Sequence, residues 1–225
     1  MGPELPTFKE AYRMIVKPGE GPISRKLNRH LSLRITLFLL KHRVGISPTA
    51  MSFMSFATGL LSALAFSFGW PLPGGLLAQL ASILDGCDGE IARLTGRASS
   101  RGGILDAVLD RMADAAIVIS LAIFAYRSGW PWPLSALGLP WALVVLLVAG
   151  LALTGSLLVS YCSAISRALA SRQPERAVGS RDVRLFLIML AGLSCWFIPW
   201  TALPFLALLA LLTWLEVLNC LRQVF

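Results

Sequence analysis

Six apolar runs, at residues 47–68, 72–94, 103–126, 137–169, 182–200 and 202–221, dominate the chain, and each is about as long as the ~20 residues a helix needs to cross a bilayer's hydrocarbon. A backbone in hydrocarbon must satisfy its own N–H and C=O groups, which leaves helices or a closed β-barrel. Long unbroken apolar runs, without the alternation of a barrel strand, predict helices. Only 14% of the 225 residues are charged, against about 25% in a soluble domain. The expected fold class is therefore an all-α integral membrane protein with six transmembrane helices. No second soluble domain is expected, because the spans consume most of the chain.

Charge placement orients the spans. Nine of the 20 Lys and Arg residues precede Ile46, and a basic segment directly ahead of apolar spans reads as contact with an anionic leaflet rather than with nucleic acid. Within it, Ile23, Leu27, Leu31, Ile35 and Phe38 recur at helical spacing with Arg25, Lys26, Arg29 and Arg34 between them. This pattern predicts an N-terminal amphipathic interfacial helix over residues 23–38. Residues 1–46 are thus expected to form a basic cytoplasmic segment and residues 47–225 the six-helix transmembrane domain. Met1 to Tyr12 has no apolar core, so no cleavable signal is expected.

Arg93, Arg97 and Arg101 lie in one inter-span connection and Arg167, Arg172, Arg176, Arg181 and Arg184 in or beside another, whereas the opposite connections hold only Arg127. The positive-inside rule then places both termini in the cytoplasm of a multi-pass cell-membrane protein. Trp70, Trp130, Trp132, Trp196 and Trp200 suit an outer interfacial belt. Cys87, Cys162, Cys195 and Cys220 are widely spaced and read as packing residues. His30 and His42 are expected at the surface.

Half of the chain's acids fall inside two of the runs. Asp85, Asp88, Glu90, Asp106, Asp110 and Asp114 are six of the twelve Asp and Glu residues, and ionised carboxylates in hydrocarbon need a partner or a function. Asp85 and Asp88 share one helix face, as do Asp106 and Asp110. Counting at 1.5 Å per residue puts both pairs within roughly 10 Å of the cytoplasmic helix ends, facing each other across a hairpin. Four converging carboxylates repel unless cations hold them, and hard oxygen ligands without His or Cys favour Mg²⁺ or Mn²⁺. Glu90 points away from Asp88 and is expected to pair with a basic residue, and Asp114 to support the cluster rather than join it. A cation transporter would also carry intramembrane acids, but the chain shows no internal repeat to support one.

The string Asp85-Gly-Cys-Asp88-Gly89-Glu-Ile-Ala92-Arg93, followed after eight residues by Gly102-Gly-Ile-Leu-Asp106-Ala-Val-Leu-Asp110, resembles the signature of the CDP-alcohol phosphotransferase family. Every fixed position of D-x2-D-G-x2-A-R-x8-G-x3-D-x3-D is present. The resemblance implies a catalytic domain that transfers a phospho-alcohol group from a CDP-alcohol to an acceptor hydroxyl with release of CMP, acting as a homodimer with two Mg²⁺ or Mn²⁺ ions. It assigns Asp85, Asp88, Asp106 and Asp110 as metal ligands, Asp110 also as general base, and Gly89, Ala92, Arg93 and Gly102 to the CDP-alcohol donor. Thr49 stands where the family often has Asn after Pro48, and Ser160-Tyr161 lacks the basic residue that tends to follow in the family's inositol-phosphate synthases.

The run from Gly19 to Arg29 and the motif itself resemble the branch that joins CDP-inositol to inositol 1-phosphate, often fused to a cytidylyltransferase domain that this chain is expected to lack. A CDP-diacylglycerol donor, as in phosphatidylinositol-phosphate synthases, is the alternative. Either acceptor is a phosphorylated polyol, so a basic pocket is expected beside the metals, with Arg181, Arg184 and Arg222 as candidates for its phosphate.

Overall fold

The computed structural model describes residues 6–15, 23–130, 139–170 and 179–224, and no strand occurs among them. A short helix α1 (Phe8–Ile15) precedes a π-turn (Ser24–Asn28) that runs into α2 (Arg29–Lys41). Six long helices follow: α3 (Pro48–Ser67), α4 (Pro71–Leu94), α5 (Ser100–Ser128), α6 (Trp141–Ala170), α7 (Arg181–Phe197) and α8 (Ala202–Val224). They coincide with the six apolar runs. Trp132, Arg172, Arg176 and residues 19–22 lie outside the described residues.

Local chemistry sets several of the boundaries. Ser47 accepts from the Ala50 amide at 3.1 Å and Pro48 opens the first turn of α3, a side-chain cap followed by a residue that has no N–H to satisfy. Ser99 caps α5 in the same way through the Gly102 amide at 3.1 Å. Between α4 and α5 the chain reverses at Gly96, whose φ of +67° suits a residue without a Cβ. That tight link makes α4 and α5 an antiparallel hairpin.

The helices cross on small residues. A Cβ placed on Gly59 of α3 would sit 2.9 Å from the Ala113 Cβ of α5, and one on Gly75 of α4 would sit 3.0 Å from the Gly192 Cα of α7. Such near backbone-to-backbone approach is how helices associate where burial of apolar surface offers little gain. Phe66, Ile117, Leu121, Leu185, Leu206 and Leu209 fill the space between the crossings. Outside, Leu61, Leu64, Leu146, Leu147, Phe197 and Leu211 are exposed, while Glu90, Asp114 and Arg184 are buried. This inversion is the pattern of a bundle surrounded by lipid. Among the described residues, three stretches are long and apolar enough to cross a membrane: Pro48–Ser67, Trp141–Ser166 and Pro199–Gln223. The charged residues of the cluster lie chiefly on α4, α5 and α7.

The N-terminal helix departs from expectation. The stretch expected as one amphipathic helix begins as the π-turn, and its polar residues face inward: Asn28, Arg29, Ser32 and Thr36 are buried, whereas Leu27, Leu31 and Phe38 are exposed. The physical reason is Glu90, which gives that polar stripe a buried partner on α4. Helix α1, absent from the sequence reading, packs Ala11 and Ile15 against Leu33.

Candidate active site

The hairpin brings the acids together. Carboxylate oxygens of Asp85 and Asp88 on α4 and of Asp106 on α5 all lie within 4.8 Å of one another. Ser52 of α3 donates a hydrogen bond to the Asp88 carboxylate, which fixes one oxygen and turns the rest of the group toward its neighbours. A set of hard oxygen donors without nitrogen or sulfur suits Mg²⁺ or Mn²⁺ rather than zinc. The three carboxylates open onto a cavity of about 1110 Å³ between α3, α4, α5, α6 and α7.

Two cationic walls flank the acids. On the α4 side the guanidinium of Arg93 covers Gly89: a Cβ there would lie 3.4 Å from Arg93 Nη1 and 3.5 Å from Nη2. Ala92 and Gly102 line the same cavity. Gly102 also sits tight against its cap, since an added Cβ would come within 3.0 Å of the Ser99 hydroxyl.

On the other wall Arg181, at the start of α7, spans three carboxylates. Its Nη1 lies 2.9 Å from Asp85, its Nη2 3.0 Å from Asp110 and its Nε 3.1 Å from Asp114. Arg184, one turn later, pairs with Asp114 at 3.0 Å and donates to the Ser156 carbonyl at 2.7 Å. Asp114 thus holds the two arginines rather than adding to the group of three. Arg184 is turned into the bundle, with 4% of its surface exposed, so it is no snorkelling anchor. Arg222 is exposed near the end of α8 and stands outside the cavity lining.

Two further residues were not anticipated. Arg111 hydrogen-bonds the Ser160 hydroxyl of α6 and lies 3.4 Å from Asp114 and 3.8 Å from Asp110. Arg29, expected on a solvated face, is buried and paired with Glu90 at 2.8 Å. Glu90 therefore finds the basic partner expected of it. An arginine inside an apolar span must face protein, and that signal was available for Arg111.

The chain aligns with known proteins over most of its length. It is 44% identical over 182 residues to the bifunctional IPC transferase and DIPP synthase of Rubrobacter xylanophilus, covering 77% of this chain and 37% of that protein. The chain thus spans less than half the length of this curated relative. The phosphatidylinositol phosphate synthase of Mycobacterium tuberculosis, solved in complex with manganese and citrate, superposes with a TM-score of 0.68 at 25% identity, over 86% of this chain and 88% of that one. The same enzyme solved with CDP-DAG bound gives a TM-score of 0.66 at 24% identity, over 86% and 92%. The model of the CDP-alcohol phosphatidyltransferase family matches residues 46–220, which contain the whole carboxylate hairpin with Arg93, Arg111, Arg181 and Arg184, so the chain belongs to that family.

Proposed function

We propose that this chain transfers a phospho-alcohol group from CDP-inositol to a hydroxyl of a phosphorylated polyol, inositol 1-phosphate, and releases CMP. The observation that carries the reading is the placing of three metal-type carboxylates and Asp110 between two separate cationic walls in one cavity. Two anionic substrates have to meet there, and each wall suits one. The choice of a soluble donor rests on the 44% identity to the bifunctional IPC transferase and DIPP synthase. The second reading, a CDP-diacylglycerol donor, rests on the M. tuberculosis enzyme solved with CDP-DAG.

Asp85, Asp88, Asp106 and Asp110 would hold two Mg²⁺ or Mn²⁺ ions. Such ions supply charge neutralisation at the diphosphate and at the leaving oxygen of CMP. The donor's nucleotide lies over Gly89 and Ala92, with Arg93 as a phosphate fork and Gly102 opposite. The acceptor's phosphate lies toward Arg181 and Arg184, joined by Arg111. Asp110 Oδ1 is tied to Arg181 at 3.0 Å, and its other oxygen takes the proton of the acceptor hydroxyl. That hydroxyl oxygen bonds to the phosphorus bearing the donor's alcohol as the bond from that phosphorus to the CMP oxygen breaks. Arg222 has no part in this arrangement.

The six long helices span the membrane with both termini and the cavity on the cytoplasmic side, residues 47–225 forming the catalytic unit and residues 1–46 a basic segment against the leaflet. Two copies associate as a homodimer. The test is CMP release by the purified chain with Mg²⁺, inositol 1-phosphate and a panel of CDP-alcohols. Release with CDP-inositol supports the first reading; release with CDP-diacylglycerol alone moves the chain to the second.

A further inference from the structure

Glu90 is 0% exposed inside α4, and it accepts from three side chains of α2: Arg29 Nη1 at 2.8 Å, the Ser32 hydroxyl at 2.6 Å and the Thr36 hydroxyl at 2.7 Å. The helices meet at Gly86, where a Cβ would lie 3.0 Å from the Ser32 Oγ. The start of this element is tied down twice more. Asn28 donates to Ser82 at 2.9 Å and accepts from Gln79 at 2.6 Å, and the Ser24 amide donates to Asp182 of α7 at 2.5 Å.

Two hydroxyls would satisfy a buried carboxamide in place of Glu90 and still join α2 to α4. A buried ion pair seldom stabilises a fold better than apolar side chains of similar size. An arginine at this spot therefore calls for a use beyond stapling. Arg29 lines the cavity together with Asp85, Asp88, Gly89 and Arg93. Its Nη1 lies 3.8 Å from the Cβ position of Gly86, one helical turn along α4 from Gly89. It stands where α2 meets α4, on the cavity lining.

We propose that Arg29 is a donor-binding residue, a second guanidinium beside Arg93 that binds the diphosphate of the CDP-alcohol, and that buried Glu90 is the positioning residue that fixes it on the cavity wall. The proposal rests on the reading that the donor occupies the Gly89–Arg93 side. Because Glu90 offsets its charge, Arg29 contributes directed hydrogen bonds more than net attraction. The N-terminal element thus completes the donor site, which the α4–α5 motif alone leaves open on that side.

The test uses the full chain in detergent with Mn²⁺, titrating CDP calorimetrically and measuring CMP release from CDP-inositol in parallel. In the double variant Arg29→Met/Glu90→Leu the pair is replaced by apolar side chains; CDP affinity and donor KM should each worsen about tenfold, with Mn²⁺ affinity and acceptor KM within about twofold. Glu90→Gln alone should raise donor KM in the same direction. Arg29→Lys keeps a cation beside Glu90 and decides the matter where the double variant does not fold: its CDP affinity should fall by roughly threefold or more. A folded double variant, or Arg29→Lys, that binds CDP like the wild type would reduce Arg29 to a staple. If the wild-type chain binds CDP but releases no CMP, the proposed reaction is wrong while the binding comparison still decides the role of Arg29; if it binds no CDP, both readings are overturned.

Discussion

Replacing Asp114 by Asn removes the charge on which three arginines converge. Arg184 Nη2 lies 3.0 Å from this carboxylate, Arg181 Nε 3.1 Å and Arg111 Nη1 3.4 Å. The carboxamide fills the same volume and offers one acceptor oxygen, but it leaves the guanidiniums to repel one another with fewer anions between them. Removing one partner of a buried ion pair costs about 3–5 kcal/mol. Taking the lower end, because an acceptor oxygen survives, and about 2–4 °C per kcal/mol for a chain of this size, thermal unfolding in mild detergent should move down by roughly 6–12 °C. Far-UV circular dichroism reads that shift. Combining Asp114→Asn with Arg184→Met should recover part of the loss, since one of the repelling charges is gone. Mn²⁺ affinity should hold, because Asp114 lies outside the group formed by Asp85, Asp88 and Asp106. A shift under about 2 °C would show that the arginines are held by something other than Asp114, and would refute the reasoning.

Asp110→Asn should lower kcat by about 10²–10⁴ with donor KM little changed, whereas Asp85→Asn should weaken Mn²⁺ and donor binding together; an Asp110→Asn enzyme with most of its kcat would remove the general base from the mechanism. Ala98→Cys, in the exposed link between α4 and α5 and in a background with the partly exposed Cys162 changed to Ser, should react with an impermeant thiol reagent in inside-out vesicles and not in intact cells. The reverse pattern would invert the topology. Gly59→Ala should cost about 1–3 kcal/mol by forcing α3 from α5 at Ala113, read as a lower thermal midpoint, with unchanged stability showing that this crossing is looser than its geometry indicates.

What could be read from the sequence follows from which physical signal was one-dimensional. Length and apolarity mark a buried or lipid-facing helix wherever it lies, so each long helix from α3 to α8 was anticipated. Spacing of acids on a helix fixes their face, so Asp85, Asp88, Asp106 and Asp110 were expected together; the hairpin joins the first three, while Asp110 is tied to Arg181. Direction around the bundle was not available from counting. Arg184 and Arg222 were both candidates for the acceptor's phosphate, yet one is buried against Asp114 and the other is exposed at the end of α8. Amphipathicity shows that α2 has two faces without telling which one meets protein; only the position of Glu90, across a helix crossing, turns its polar face inward. Helix α1 has eight residues, too few for a periodic signal to stand out.

The central claim concerns which bonds are made and broken, and phosphorus NMR of the purified chain with Mg²⁺, CDP-inositol and inositol 1-phosphate follows them directly. The account predicts loss of the diphosphate signals with equimolar appearance of the CMP monoester and a new phosphodiester, dependent on both the metal and the acceptor. Diphosphate signals that persist under these conditions, or CMP formed at the same rate without acceptor and with no phosphodiester, would contradict it.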